Sequence, residues 1–130
     1  MKIIHHSGKR KTAIAKATLK PGKGIVRINS KLLENYEPLV GRMKIMEPLI
    51  LSEDVIKKFN ISVKVKGGGW SSQTEAIRLA VGRCLVDASN PLKEKFLKYD
   101  RQLLIADTRR KEVCKPNDSK ARAKRQKSYR

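Results

Sequence analysis

Acidic side chains are scarce in this chain: 12 Asp and Glu stand against 31 Lys and Arg over 130 residues, a formal net charge of +19. A small domain stays soluble with a net charge of magnitude about 2 to 8. The excess repels itself in the compact state and calls for a polyanionic partner. Nucleic acid fits best, because each neutralised phosphate releases condensed counterions. Long apolar runs are also missing. No stretch approaches the roughly 18 residues of a membrane span, and no strongly apolar amphipathic helix adjoins the basic end, which disfavours a membrane partner. The opening "MKIIHHSGKRK" has only two adjacent aliphatic residues, too few for a secretory signal.

Cysteine is rare too. Cys84 and Cys114 lie far apart, with no CxxC and no histidines at ligand spacing, which predicts an intracellular protein without disulfides or a metal site. The adjacent His5 and His6 match neither the i, i+4 spacing of a helix nor the i, i+2 spacing of a strand. Aromatic residues make up 5% of the chain, too few for the stacking platforms of RRM or OB modules. No RNP1 pattern, C₂H₂ spacing or helix-turn-helix pair appears. There is no nucleophile elbow and no carboxylate pair set in an apolar cluster; the acidic residues sit beside Lys or Arg, as in "LKEKF". The sequence therefore predicts neither catalysis, nor a cofactor, nor a small-molecule substrate.

What is present divides in two. Residues 109–130 hold ten basic and two acidic residues, a net of +8, and only Val113, Cys114 and Tyr129 as large apolar groups. Such a segment cannot bury enough surface to offset its ordering entropy. It reads as a basic C-terminal arm following a globular domain over residues 1–108. In the domain, Ala13, Ala15, Ala17 and Leu19 alternate on one strand face. "KPGKG" reads as a turn and Ile25, Val26 and Ile28 as the returning strand of a hairpin. The small inward alanines imply a close-packed neighbour. "SKLLENYEPLVGRMKIMEPLILSEDVIKKF" is helical in pattern with breaks at Pro38 and Pro48, and "ISVKVKGGG" is a strand with Lys64 and Lys66 outward.

A helix is predicted from Ser72, where Ser72 and Glu75 form a capping box. Ile77, Val81, Cys84, Leu85 and Ala88 form its apolar stripe, with Cys84 as a buried small hydrophobe. Gly82 there costs roughly 1 kcal/mol relative to Ala, which close packing on the sheet would justify. Asn90 and Pro91 open another helix, and "LLIADTRRKEV" reads as a last short strand. The predicted fold class is α/β in its α+β two-layer form: a four-stranded sheet with helices on one face, plus the extended arm.

"GGGWSSQTEA" is the one segment shaped like a ligand cradle, since Gly67, Gly68 and Gly69 permit close backbone approach before a helix N-terminus. It lacks a P-loop ending and dinucleotide spacing, so a backbone phosphate of nucleic acid, or a plain turn, is favoured. Trp70 suits either a stacked base or a lid on the sheet edge. The basic groups are spread over many elements, among them "GKRK", Lys16, Lys20, Lys23, Arg27, Arg42 and Lys44. That dispersion points to shape- and phosphate-based binding of a large folded RNA, with DNA packaging as an alternative.

"SGKRKTAIAKATLKPGKGIVRIN", "PLVGRMKIMEPL", "VKGGGWSSQTEAIRLAVGRCLV", "FLKYDRQLLIADTRRKEV" and "ARAKRQKSYR" together resemble the archaeal form of the family of the ninth protein of the small ribosomal subunit, from about Ser7 to Arg130. The resemblance implies a left-handed βαβ crossover, against the usual rule. It implies a structural protein of the cytoplasmic small subunit that binds the rRNA of the head, neighbours other head proteins, and sends its tail to the peptidyl-site transfer RNA. Matched by position, Lys9, Arg10, Lys11, Lys64, Lys66, the glycine turn, Arg109, Arg110, Lys111, Lys120, Arg122, Lys124, Arg125 and Lys127 are expected on rRNA. Ser128, Tyr129 and Arg130 are expected at the transfer RNA. Asp118, in "CKPNDSKARA", departs from the glycine-rich link of related archaeal chains. A chromosome-coating protein and an RNA-processing subunit like that of ribonuclease P stay as rivals.

Overall fold

The computed structural model of the chain describes residues 3–116 and 121. Five strands form one mixed sheet: β1 Ile4–Arg10, β2 Ala13–Pro21, β3 Val26–Ile28, β4 Lys31–Leu32 and β5 Phe59–Lys66. Their spatial order is β1-β2-β5-β3-β4. The helices are α1 Leu39–Leu51, α2 Glu53–Ile56, α3 Trp70–Ala88 and α4 Leu92–Tyr99, with 3₁₀ turns at Leu33–Asn35 and Arg101–Leu103.

The alternation along β2 and β5 is the signal that holds best. Ala13, Ala15, Ala17, Leu19, Ile61, Val63 and Val65 are all buried on one face, as a half-covered antiparallel pair requires. Helix α3 lies over β1, β2 and β5, and α1 packs on α3. Ile77, Val81, Cys84 and Leu85 complete the core from α3, while Ile45 and Phe96 join it from α1 and α4. The alanines of β2 are small because α3 comes so near. Gly8 on β1 makes the same point: a Cβ there would stand 2.2 Å from the Ala76 carbonyl oxygen.

Several expectations are corrected. The sheet has five strands, not four. β1 runs antiparallel to β2 across a tight Lys11–Thr12 turn, and β2 does not form a hairpin with β3. β5 lies between them, antiparallel to β2 and parallel to β3. The "KPGKG" loop is fastened to β5 instead: Asn60 Oδ1 accepts from the Lys23 and Ile25 N–H groups at 2.9 and 3.0 Å. The parallel β3–β5 pair, joined through α1, is a βαβ unit. Beyond β3 the Asn29 side chain exchanges two hydrogen bonds with the Val65 backbone, extending the ladder by one residue.

Pro48 does not break α1, which continues to Leu51; the Ser52 hydroxyl donates to the Pro48 carbonyl at 2.7 Å and closes the end. α3 begins at Trp70 with Gly69 as its cap, so Ser72 lies inside the helix and there is no capping box. α4 begins at Leu92 with Pro91 as its N-cap and no side-chain cap bond, so Asn90 does not cap it.

The predicted last strand is absent. Leu103 is fully buried in a 3₁₀ turn, and the chain then runs without regular structure to Lys115. Gly82 is explained by this segment and not by the sheet, because a Cβ there would meet the Leu103 carbonyl oxygen at 2.6 Å.

Candidate nucleic-acid interface

Because successive residues of a strand point to opposite faces, covering one face with helices leaves the other bare. The strand register puts Ser7, Lys16 and Lys64 in one row of that face, and Lys9, Ile14 and Lys66 in the next. A third row carries His5, Thr18, Ser62, Arg27 and Leu32. Lys20 lies beyond it, opposite Asn60. Lys9, Lys16, Lys20, Arg27, Lys64 and Lys66 are all exposed, and none of them is in an ion pair with another of the described residues. No strand residue of the sheet is Asp or Glu. Lys16 and Lys64 are direct cross-strand partners, an arrangement that like charges resist unless something negative lies over them.

At one end of this face the sequence-predicted groups converge. Lys11 sits in the β1–β2 turn at φ +52°, next to the glycine turn, where a Cβ on Gly67 would strike the Thr12 carbonyl oxygen at 2.6 Å. Gly67 and Gly68 both have positive φ, so their glycines are structural requirements. Gly69 has open space around it. The Gln73 amide donates to the Gly67 carbonyl at 3.1 Å and closes the turn on α3. Arg110 donates to the Lys11 carbonyl at 3.3 Å, which brings that residue to the same corner. Trp70 is half exposed there.

The structure splits the run Lys9, Arg10 and Lys11. Lys9 and Lys11 are exposed, but the Arg10 side chain turns to the helix side, is largely buried, and pairs with Glu75 and Asp107. Asp107 also accepts from Arg109. Those Arg109 bonds, with the Arg109 N–H and the charge of Arg10, hold its carboxyl well below the usual carboxylate range. A second cluster joins Arg78 to Asp100 at 2.8 Å and to Glu47. Burial alone would push Asp100 up; the Gln102 N–H and Arg78 outweigh it and leave Asp100 lowered. Arg83 donates to the Leu104 and Ser7 carbonyls at 3.0 and 2.9 Å.

Together these bonds strap residues 100–110 along β1 and α3. This strap was missed in the sequence. Its only signal there is the alternation of acid and base in "DRQLLIADTRR", which also describes ordinary solvated pairs.

The two histidines part company. His5 Nδ1 faces Thr18 Oγ1 at 2.9 Å on the open side, while His6 Nε2 meets Asp87 at 2.6 Å on the other. Cys84 is buried and its thiol is pushed up to about 11, chiefly by that burial. Arg109, Arg110 and Lys111 are exposed. Lys120, Arg122, Lys124, Arg125, Lys127, Ser128, Tyr129 and Arg130, and also Asp118, lie outside the described residues. Among the described residues no group of His, Cys, Asp and Glu could hold a metal ion, and no helix is long and apolar enough to cross a membrane.

The fold and the site together define a strongly basic two-layer α+β protein with one helix-covered face and one cationic face. Comparison with known proteins makes that particular. Residues 8–130 match the family described as ribosomal protein S9/S16. The small ribosomal subunit protein uS9 of Methanococcus maripaludis strain C7 is 52% identical over the whole of both chains, and that of Methanococcus vannielii is 49% identical over the whole of both. The chain belongs to this family, in its archaeal form.

Proposed function

We propose that the chain is a structural constituent of the small ribosomal subunit, working in the cytoplasm without catalysis. In this reading its open sheet face binds rRNA phosphates of the subunit head and its C-terminal arm reaches the peptidyl-site transfer RNA. The observation that carries it is the sheet face itself, with six exposed cations outside every ion pair among the described residues and no carboxylate on any of its strands. Residues 1–108 are the rRNA-binding body in this scheme, and 109–130 the arm. Lys9, Lys11, Lys64, Lys66 and the glycine turn dock the body, and Arg109, Arg110 and Lys111 begin the arm's rRNA contact. Arg10 serves a different purpose, anchoring the strap through Glu75 and Asp107.

The rest of the arm, from Lys120 to Lys127, continues along rRNA, and Ser128, Tyr129 and Arg130 meet the transfer RNA. The same names, small ribosomal subunit protein uS9, on full-length relatives support the subunit assignment over a chromosome-coating or ribonuclease P role. Two sedimentation experiments test it. The chain is expected to stay with small subunits through a high-salt gradient; its release to the nucleoid fraction refutes the assignment. Removing Tyr129 and Arg130 is expected to leave assembly intact and weaken retention of peptidyl-site transfer RNA. Loss of assembly would make the tip an rRNA anchor instead.

A further inference from the structure

Trp70 is the chain's single tryptophan, and it stands 52% exposed at the start of α3. It lines a cleft of about 760 Å³ with Tyr36, Glu37, Pro38, Leu39 and Arg42, from the segment that opens α1. Tyr36 is fixed in place there. Its hydroxyl lies 3.4 Å from Thr74 Oγ1, which donates to the Trp70 carbonyl at 2.8 Å. Gly41 leaves room for both, since a Cβ on it would stand 2.8 Å from Thr74 Oγ1 and 3.1 Å from the Tyr36 ring. The cleft is thus built into the packing of α1 on α3. Only Gly69 separates Trp70 from the positive-φ glycine turn. Lys11, Lys66 and Arg110 stand exposed at that corner.

We propose that this cleft takes one unpaired nucleobase of the rRNA, stacked on the Trp70 ring, while the cations at the adjoining corner hold the backbone beside it. The proposal rests on the rRNA-binding role given above and adds a contact to a base where that role needs only phosphate. Unstacked RNA bases are splayed out and laid on aromatic side chains. Aromatic residues at 5% of the chain exclude a stacking platform, but a single base needs a single ring. The lining separates base from phosphate. Its two charged residues, Glu37 and Arg42, offset each other, and Arg42 is turned onto the Glu34 carbonyl. Glu37 is in no ion pair among the described residues. An ionised carboxylate only accepts hydrogen bonds, so it repels phosphate and suits the N–H groups of a base edge, as with cytosine N4. An apolar protein side chain in the same place would bury that carboxylate unpaired, which is costly.

Trp70 is its own probe, because no other tryptophan contributes to the chain's fluorescence. The full chain is titrated with a transcript of the head-domain rRNA, and with a fully paired RNA duplex as reference. The transcript is expected to quench Trp70 as it binds. The duplex, whose bases stack on one another, is expected to bind the cationic face without quenching. Trp70→Ala should weaken transcript binding about 5- to 150-fold. The salt slope should stay the same, because a stacked base releases no counterions. Trp70→Phe should recover most of the loss and Trp70→Leu little of it. A bound transcript that leaves Trp70 unquenched, a Trp70→Ala chain that binds like the parent, or recovery by Leu as full as by Phe overturns the proposal. Quenching that appears only in complete subunits overturns it too, since a protein neighbour would then cover the cleft. A transcript that fails to bind at any salt concentration overturns the rRNA-binding role itself.

Discussion

Replacing Lys16, Lys64 and Lys66 together by Gln tests the sheet face with two readouts that move in different directions. All three are exposed and outside every ion pair among the described residues. Exposed substitutions of this kind shift stability by no more than about 0.5 kcal/mol each. Lys16 and Lys64 are direct cross-strand partners, so removing their repulsion should leave the body as stable or slightly more stable.

Binding behaves otherwise. Each phosphate neutralised contributes about 0.9 to the slope of log affinity against log salt, so three lost contacts lower the slope by about 2.7. Between roughly 50 and 200 mM salt, the triple variant should therefore lose about 40-fold less affinity than the parent, from a weaker starting point. Filter binding to a transcript of the head-domain rRNA across a salt series measures the slope, and thermal unfolding measures the body. An unchanged slope would show that the bare face does not meet phosphate. A drop of several degrees in the midpoint would show that the lysines support the fold instead.

Other outcomes follow from the strap and the core. Gly82→Ala gains roughly 1 kcal/mol of helix propensity but presses a Cβ to 2.6 Å from the Leu103 carbonyl oxygen. Overpacking of that kind costs about 1–3 kcal/mol, so a net loss and faster proteolysis after residue 100 are expected; a stabilised, protease-resistant variant refutes the packing. The lowered Asp107 carboxyl contributes stability above its unfolded value and loses it as pH falls through the folded one. Asp107→Asn should thus lower the unfolding midpoint near neutral pH, and the difference from the parent should close as pH drops below about 4. A gap that persists in acid would point to packing in place of charge. Of the two thiols, exposed Cys114 should label rapidly and buried Cys84 only on unfolding; fast labelling of both would contradict the core.

Some of this was legible in residue order because it depends on local pattern. "ISVKVK" and "AIAKATL" alternate with period two, and the structure buries the residues the alternation selects. The sheet's cationic side follows from the same rule, since every outward Lys of β2 and β5 is fixed once the inward residues are known. The low apolar content of residues 109–116 agrees with their lack of regular structure. β1 was invisible because its helix-side positions after Ile4 are His6, Gly8 and Arg10, which show no apolar alternation, with Gly8 small to admit α3's backbone.

What the amino-acid order determined alone is the charge excess, which is composition, and the strand faces and the helix stripe around Cys84, which are set by near-neighbour periodicity. Tertiary structure alone decided that β5 enters between β2 and β3, joining residues some 35 positions apart, as in Val26 against Ile61. It also decided that Arg10 turns from its basic neighbours to Glu75 and Asp107, and that Leu103 packs over Gly82. Partners that distant have no periodicity to announce them; only closing the chain shows which charges are paired and which stay exposed.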